Sequence, residues 1–91
     1  DAKEMIVSAN PNLLRNEDRV INLDVYALVK GLLKVDLYNA NGTYLETAFF
    51  PISKNKNILQ YWTKNPLKSG QYLLVLSQEG ESTKSVKITK R

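Results

Sequence analysis

Apolar and polar residues alternate along most of this chain, and short breaks rich in polar residues or glycine separate the alternating segments. Such a period of two is typical of a half-buried β-strand, because successive side chains point to opposite faces. No segment shows the 3.6-residue period of an amphipathic helix. The clearest alternation places five apolar residues on one face: Ile21, Leu23, Val25, Ala27 and Val29.

The breaks between these segments contain the residues that favour turns. Asn39-Ala40-Asn41-Gly42 predicts a hairpin, because Asn-Gly readily adopts the positive φ values of a tight turn. We expect Pro51 to end a strand, and residues 12–19, 53–57 and 64–70 to form loops. The predicted strands are residues 4–8, 20–29, 33–38, 43–50, 58–63, 71–77 and 81–90.

Seven short strands in one domain spanning residues 1–91 predict an all-β, immunoglobulin-like antiparallel sandwich, with a flattened barrel as the alternative. The strand at residues 71–77 is apolar on both sides, so we expect it to be central and covered on both faces. A chain of 91 residues without cysteine must rely on a well-packed core. No apolar run approaches the roughly 20 residues of a membrane-spanning helix.

The composition argues against an enzyme. The chain has no histidine and no cysteine, which removes the commonest general base and the usual ligands of zinc and transition metals. We therefore expect no metal, no cofactor and no small-molecule substrate. Asp24 and Asp36 lie on strands that we expect to be adjacent and facing, where a glycosidase-like pair is conceivable. Two solvated carboxylates on an outer face are the favoured interpretation.

Positive charge is concentrated in the second half of the chain. The net charge is +4, from 13 basic and 9 acidic residues. Residues 81–91 alone contribute +3, from Lys84, Lys87, Lys90 and Arg91 against Glu81. An anionic partner such as nucleic acid is one interpretation. A lysine-protected sheet edge is favoured, because no helix or aromatic platform accompanies the lysines.

Two aromatic positions invite specific predictions. Tyr72 follows Gly70 at the start of a strand, where a sandwich tyrosine often forms a corner by bonding its hydroxyl to the backbone of the preceding loop. Gly70 would supply a backbone conformation that other residues resist. Trp62 is the only tryptophan, and in so small a chain we expect it to be largely buried.

Several motifs, taken in order, resemble the type A C-terminal sorting domain of the type IX secretion system of Bacteroidota-type bacteria. They are Ala9-Asn10-Pro11, then the strand at residues 33–38 with the hairpin at residues 39–42, then Leu67, Ser69, Gly70 and Tyr72, and finally the lysine-rich strand at residues 84–91. Each motif is weak alone, whereas the ordered set over residues 5–91 is fairly specific. Asn12 departs from the usual pattern, and residues 53–66 are more polar than usual.

The resemblance implies a non-catalytic export signal. Such a domain folds in the periplasm, is recognised by the outer-membrane translocon and its shuttle proteins, and directs its cargo to the outer-membrane surface. The partner-binding residues that the resemblance suggests are Gly70, Tyr72, Lys84, Val86, Lys87, Ile88, Lys90 and Arg91. The terminal alternation adds a hypothesis: the last strand lies at a sheet edge, where a partner strand can pair with it.

Two other functions compete with this interpretation. A generic immunoglobulin- or fibronectin-like adhesion or spacer module would have the same strand pattern, and a gene that continues past Arg91 would favour it. A small carbohydrate-binding module would use Tyr38, Tyr61 and Trp62 as a flat row of exposed aromatic rings.

Overall fold

The computed structural model describes residues 5–10, 13–15 and 19–91, and within them the chain is all β. Two sheets pack face to face as an immunoglobulin-like sandwich. The strands are β1 (Ile6–Asn10), β2 (Leu13–Leu14), β3 (Val20–Ala27), β4 (Gly31–Asn39), β5 (Tyr44–Ile52), β6 (Asn55–Trp62), β7 (Gly70–Gln78) and β8 (Lys84–Lys90).

The strand order separates the chain into a small and a large sheet. The small sheet has the order β1-β3-β6, and the large sheet has the order β2-β8-β7-β4-β5. Every pairing is antiparallel except that of β2, which runs parallel to the end of β8 at Leu13↔Thr89 and Leu14↔Lys90. β7 therefore lies between β4 and β8, which confirms its predicted central position.

The alternation in the sequence decides which side chains form the core. Ile21, Leu23, Val25 and Ala27 of β3 are buried, while Asp24 and Tyr26 between them are exposed. The large sheet contributes alternate residues of β4, β7 and β8 to the same layer, which buries the apolar area that drives folding. The buried apolar residues are Met5, Leu14, Ile21, Leu23, Val25, Ala27, Leu33, Val35, Leu37, Ile52, Tyr61, Tyr72, Leu74, Leu76 and Ile88.

The ends of the predicted strands differ from the observed ends by up to three residues. Val29 is exposed, because β3 ends at Ala27. Pro51 does not end β5, which continues to Ile52. β5 is an edge strand, and a proline is compatible with such a strand where its missing N–H would face away from the neighbouring strand.

Two predicted loops contain strand. Within residues 12–19, Leu13–Leu14 forms β2, whose Leu14 side chain is buried in the core. Within residues 53–57, β6 begins at Asn55, which has a φ of 76°. The Asn57 side chain holds this turn: its Oδ1 accepts the Ser53 N–H at 2.9 Å, and its Nδ2 donates to the Ser53 carbonyl at 2.8 Å. The Asn57 side-chain amide thus holds the turn through the Ser53 backbone. The polar composition of residues 53–57 did not predict the strand that begins here.

Among the described residues, β2 raises the number of strands from the predicted seven to eight and makes one pairing parallel. The hypothesis that the last strand lies at a sheet edge was wrong, because β8 lies between β2 and β7 in the strand order. The prediction for residues 4–8 is partly testable, because β1 begins at Ile6 and residue 4 lies outside the described residues. In the part of the chain that the structure describes, no helix is long and apolar enough to cross a membrane.

Candidate functional site

The loop before β7 forms the predicted tyrosine corner. The Tyr72 hydroxyl donates to the Lys68 carbonyl at 2.6 Å, and the Tyr72 ring is buried. Gly70 has a φ of 146°, and a Cβ added there would meet nothing within 4 Å. Glycine is therefore required here by the positive φ of the backbone, and not by a lack of room for a side chain. Both predictions for this segment are confirmed.

The hairpin between β4 and β5 lies at the same end of the large sheet. Asn39 Oδ1 accepts the N–H groups of Asn41 at 2.9 Å and Thr43 at 3.0 Å, so one side chain fixes the turn. Gly42 has a φ of 81°, as the Asn-Gly sequence predicts. Asn39 is opposite Tyr72 in the β4–β7 pairing, which places the hairpin next to the tyrosine corner.

The last strand completes this end of the sheet. In the β7–β8 pairing, Gly70 is opposite Lys90, Tyr72 is opposite Ile88, and Leu73 is opposite Lys87. The segment that resembles the glycine-tyrosine motif and the segment that resembles the lysine-rich terminal strand are therefore direct neighbours in space.

The eight predicted partner-binding residues differ in what they present to solvent. Tyr72, Ile88 and Lys90 are buried. A buried side chain can serve a partner only by positioning other groups of the folded domain. Lys84 and Val86 are half-buried, and Gly70, Lys87 and Arg91 are exposed.

A groove of about 520 Å³ lies on the outer face of the large sheet, beside the hairpin. Half-buried apolar side chains line it, namely Tyr38 of β4 with Leu73 and Val75 of β7, and exposed Lys87 of β8 also borders it. Its remaining lining residues are Asn39, Ala40, Gly42, Gln71 and Tyr72. The groove thus brings together residues of the hairpin, of the glycine-tyrosine motif and of the lysine-rich strand, which are tens of residues apart in the sequence.

The sequence contained the signal for this groove, but the prediction drawn from it was wrong in one respect. A strand that is apolar on both sides was expected to be covered on both faces. One side of β7, with Leu74 and Leu76, is fully buried, whereas Leu73 and Val75 on the other side are only half-buried. Leu73 and Val75 face the groove, and among the described residues no second layer covers them.

The two carboxylates considered as a catalytic pair do not face each other. Asp24 points outward from β3 of the small sheet, and Asp36 points outward from β4 of the large sheet, so the core lies between them. The prediction of adjacent strands failed because β3 and β4 belong to different sheets.

Asp36 is occupied by structural contacts on the outer face of its sheet. It accepts a hydrogen bond from the Thr47 hydroxyl at 2.5 Å, and Lys34 Nζ lies 3.7 Å from its other carboxylate oxygen. Thr47 also shares a hydrogen bond of 2.6 Å with the Tyr44 hydroxyl. These contacts satisfy a carboxylate that is only 8% exposed.

The prediction that Trp62 is buried was wrong. Its side chain is 61% exposed, while its neighbour Tyr61 is buried. The alternation of β6 forces this outcome, because the two residues must point to opposite faces. Trp62 is paired with Val20 on the outer face of the small sheet. The next aromatic residue on that face, Tyr26, is six positions along β3, which corresponds to about 20 Å.

Tyr61 and Glu46 form a polar contact between the two sheets. The Tyr61 hydroxyl donates to Glu46 Oε2 at 2.5 Å, and the backbone N–H of Lys64 donates to both Glu46 oxygens at 3.2 Å. Burial raises the pKa of Tyr61 well above its ordinary range, and the hydrogen bond to Glu46 and the charge of that carboxylate raise this pKa further. The contact fixes the edge of the sandwich near the loop that precedes β7.

No family model and no curated relative matches the sequence. Among solved structures, the chain is similar to the CARDB domain of the PF1109 protein from Pyrococcus furiosus, with a TM-score of 0.55 and 16% identity over 97% of this chain and 86% of that one. At this identity the similarity shows the immunoglobulin-like sandwich fold. The PF1109 domain is in complex with di-metal ions. Within residues 5–10, 13–15 and 19–91 of this chain, no group of three His, Cys, Asp or Glu residues is placed to hold a metal ion.

Proposed function

We propose that this chain is a non-catalytic sorting domain that directs its cargo to the type IX secretion translocon and so to the outer-membrane surface. One observation carries the proposal. Parts of three motifs that resemble those of type A sorting domains meet at one solvent-facing groove: the hairpin at residues 39–42, Tyr72 of the corner, and Lys87 of the lysine-rich strand.

The arrangement gives each motif residue a distinct physical role in this proposal. Gly70 and Tyr72 fix the loop that leads into β7. Ile88 and Lys90 are buried and hold β8 in place. Lys87 and Arg91 are exposed and can attract an acidic surface of the translocon or its shuttle proteins before contact. Recognition in the periplasm then depends on the folded surface, because the chain positions that form the groove are far apart in sequence.

The fold comparison is equally compatible with a generic adhesion or spacer module, since it concerns the fold alone. The groove is the feature that favours the sorting function over the spacer in this proposal. A spacer needs no apolar, solvent-facing depression beside a basic strand, whereas a recognition domain uses such a patch. The carbohydrate-binding alternative needs Tyr38, Tyr61 and Trp62 in one row of exposed rings. Tyr61 is buried, and Tyr38 and Trp62 belong to different sheets, so these three residues do not form such a row.

A reporter fusion tests the proposal. Residues 1–91 are joined to the end of a periplasmically exported fluorescent reporter in a type IX-competent bacterium and in the same strain without its translocon. We expect reporter on the cell surface of the competent strain only. A fusion to an unrelated β-sandwich of similar size is the matched control, and it should stay inside both strains. Reporter retained in the periplasm of both strains would refute the sorting function.

A further inference from the structure

β5 forms one edge of the large sheet, since it is the last strand in the order β2-β8-β7-β4-β5. Large apolar side chains of this strand are exposed to solvent: Phe49 is 58% exposed and Tyr44 is 54% exposed. The gaps in the described residues adjoin β1, β2 and the start of β3, and none of these strands is a neighbour of β5. In the described part of the chain, no strand pairs with β5 on the side away from β4.

The pairing with β4 determines which backbone groups of β5 face outward. The Asn39 N–H donates to the Thr43 carbonyl at 3.0 Å, so Asn39 directs its backbone toward β5. Because backbone direction alternates along an antiparallel pair, the backbones of Thr47, Phe49 and Pro51 face away from β4. Pro51 agrees with this assignment, since a proline has no N–H to donate to β4. Thr47 and Phe49 each offer an N–H and a C=O to another strand.

The segment around β5 lacks the basic side chains that are common elsewhere in this chain. None of the 13 basic residues lies within residues 35–53. The two carboxylates of this segment are engaged within the fold. Asp36 lies 3.7 Å from Lys34 Nζ, and Glu46 accepts a hydrogen bond from the Tyr61 hydroxyl at 2.5 Å. Lysine on an edge strand opposes pairing with another strand, so β5 is an edge without this protection.

The charge pattern favours a second copy of β5 as the strand that pairs with this edge. A charged strand would find no free counter-charge on β5, whereas two copies of β5 bring two apolar strands together and meet where the basic chain carries no lysine or arginine. In an antiparallel pairing, the outward groups of Thr47 and Phe49 match the same groups of a second copy. Such a self-complementary contact closes on two chains.

We propose that two copies of this chain associate through β5, in an antiparallel pairing around a two-fold axis that joins their large sheets into one continuous sheet. Thr47 and Phe49 supply the backbone bonds, and the exposed Phe49 ring of each copy packs against the other. Pro51 and the register shift between Leu37 and Tyr38 limit the length of the template, so the association is weak. The proposal goes beyond the sorting function and does not depend on it.

Sedimentation equilibrium of the purified chain tests the association. From low micromolar concentration to about 1 mM, the weight-average mass should rise from that of one chain toward that of two. The mass should not exceed two chains, because a two-fold contact closes. The mass of one chain at every concentration would overturn the proposal, and so would continued growth beyond two chains.

A lysine introduced into the edge should prevent the pairing. Phe49→Lys places a charge beside the outward backbone groups and should weaken the association about tenfold or more. Tyr26→Lys makes the same change at an exposed ring of β3, the middle strand of the small sheet, and should associate like the unsubstituted chain. Circular dichroism and thermal unfolding check that both variants fold. Equal association of the two folded variants would contradict pairing through β5.

The distance between two spin labels provides a test that leaves the edge itself unchanged. The chain has no cysteine, so Ser53→Cys introduces a single labelling site at an exposed residue just after β5. An axis at residues 48–49 places the two labels about eight to ten residues apart along the paired strands, which corresponds to about 30 Å. A much longer distance in the associated chains would show that the two copies meet at another surface.

Discussion

At the end of the sandwich that carries the groove, two single residues fix the loop before β7: one by its backbone conformation and one by a side-chain hydrogen bond. The positive φ of Gly70 and the bond from Tyr72 to Lys68 together fix the loop between β6 and β7. Both were predictable, because a glycine and a tyrosine at this spacing satisfy a backbone requirement that few other residues meet. The exposure of Trp62 was not predicted, because the sequence did not establish which face of β6 would be buried.

Replacement of Tyr72 by phenylalanine tests the corner. The change keeps the buried ring and leaves the Lys68 carbonyl without its side-chain donor. We expect the free energy of unfolding to fall by about 1 kcal/mol, and the midpoint of thermal unfolding to drop by about 4–8 °C. Tyr26→Phe, at an exposed tyrosine on the small sheet, is the control and should change the midpoint little. An unchanged midpoint in Tyr72→Phe would mean that the corner bond contributes nothing.

The contact between Tyr61 and Glu46 makes stability depend on alkaline pH. Because the pKa of Tyr61 is raised in the folded state, the folded chain keeps the phenol proton at a pH where the unfolded chain loses it. Stability from this residue is therefore complete below the ordinary tyrosine pKa of 10.0 and is lost as the pH rises above it.

Urea unfolding at a series of pH values should show this loss. Above pH 10 the Tyr61 contribution should fall by about 1.4 kcal/mol per pH unit. Tyr61→Phe should remove this part of the slope, and Tyr26→Phe should retain it. Equal slopes in all three proteins would show that Tyr61 ionises as readily in the folded state as in the unfolded state.

At the level of strands, the periodicity of the sequence predicted that the strands exist better than it predicted where each strand ends or which strands pair. β3, β4 and β8 were recognised from their alternation, β7 was recognised as a short segment that is apolar on both sides, and the Asn-Gly hairpin was recognised from its turn residues. β2 escaped prediction because a two-residue strand has no period to detect. The pairing of β3 with β1 and β6, and not with β4, depends on packing between sheets, which a local pattern cannot contain.

The fluorescence of Trp62, the only tryptophan, tests which face of β6 is exposed to solvent. Since Trp62 is 61% exposed, iodide should quench its fluorescence in the folded domain almost as efficiently as in urea-unfolded chain. Addition of polysaccharide should leave the emission unchanged, because no neighbouring ring completes a sugar platform. Strong protection from iodide would place Trp62 in a contact that the described residues do not show, and a response to polysaccharide would revive the carbohydrate-binding alternative.

For the molecule as a whole, the sandwich turns motifs that are scattered in sequence into one surface. The order of the motifs could be recognised from the sequence, and so could the fold class. The groove could not, because it exists only once β4, β7 and β8 are neighbours. We propose that this composite face, and not a linear terminal peptide, is the export signal.

Surface display of two matched variants tests that claim most directly. Leu73→Lys places a charge in the groove, and Ile58→Lys places the same charge at an exposed position on the small sheet, far from the terminal strand in sequence. Both are fused to the reporter and checked for folding. We predict that Leu73→Lys loses surface display while Ile58→Lys keeps it. Equal display of the two folded variants would contradict recognition through the groove.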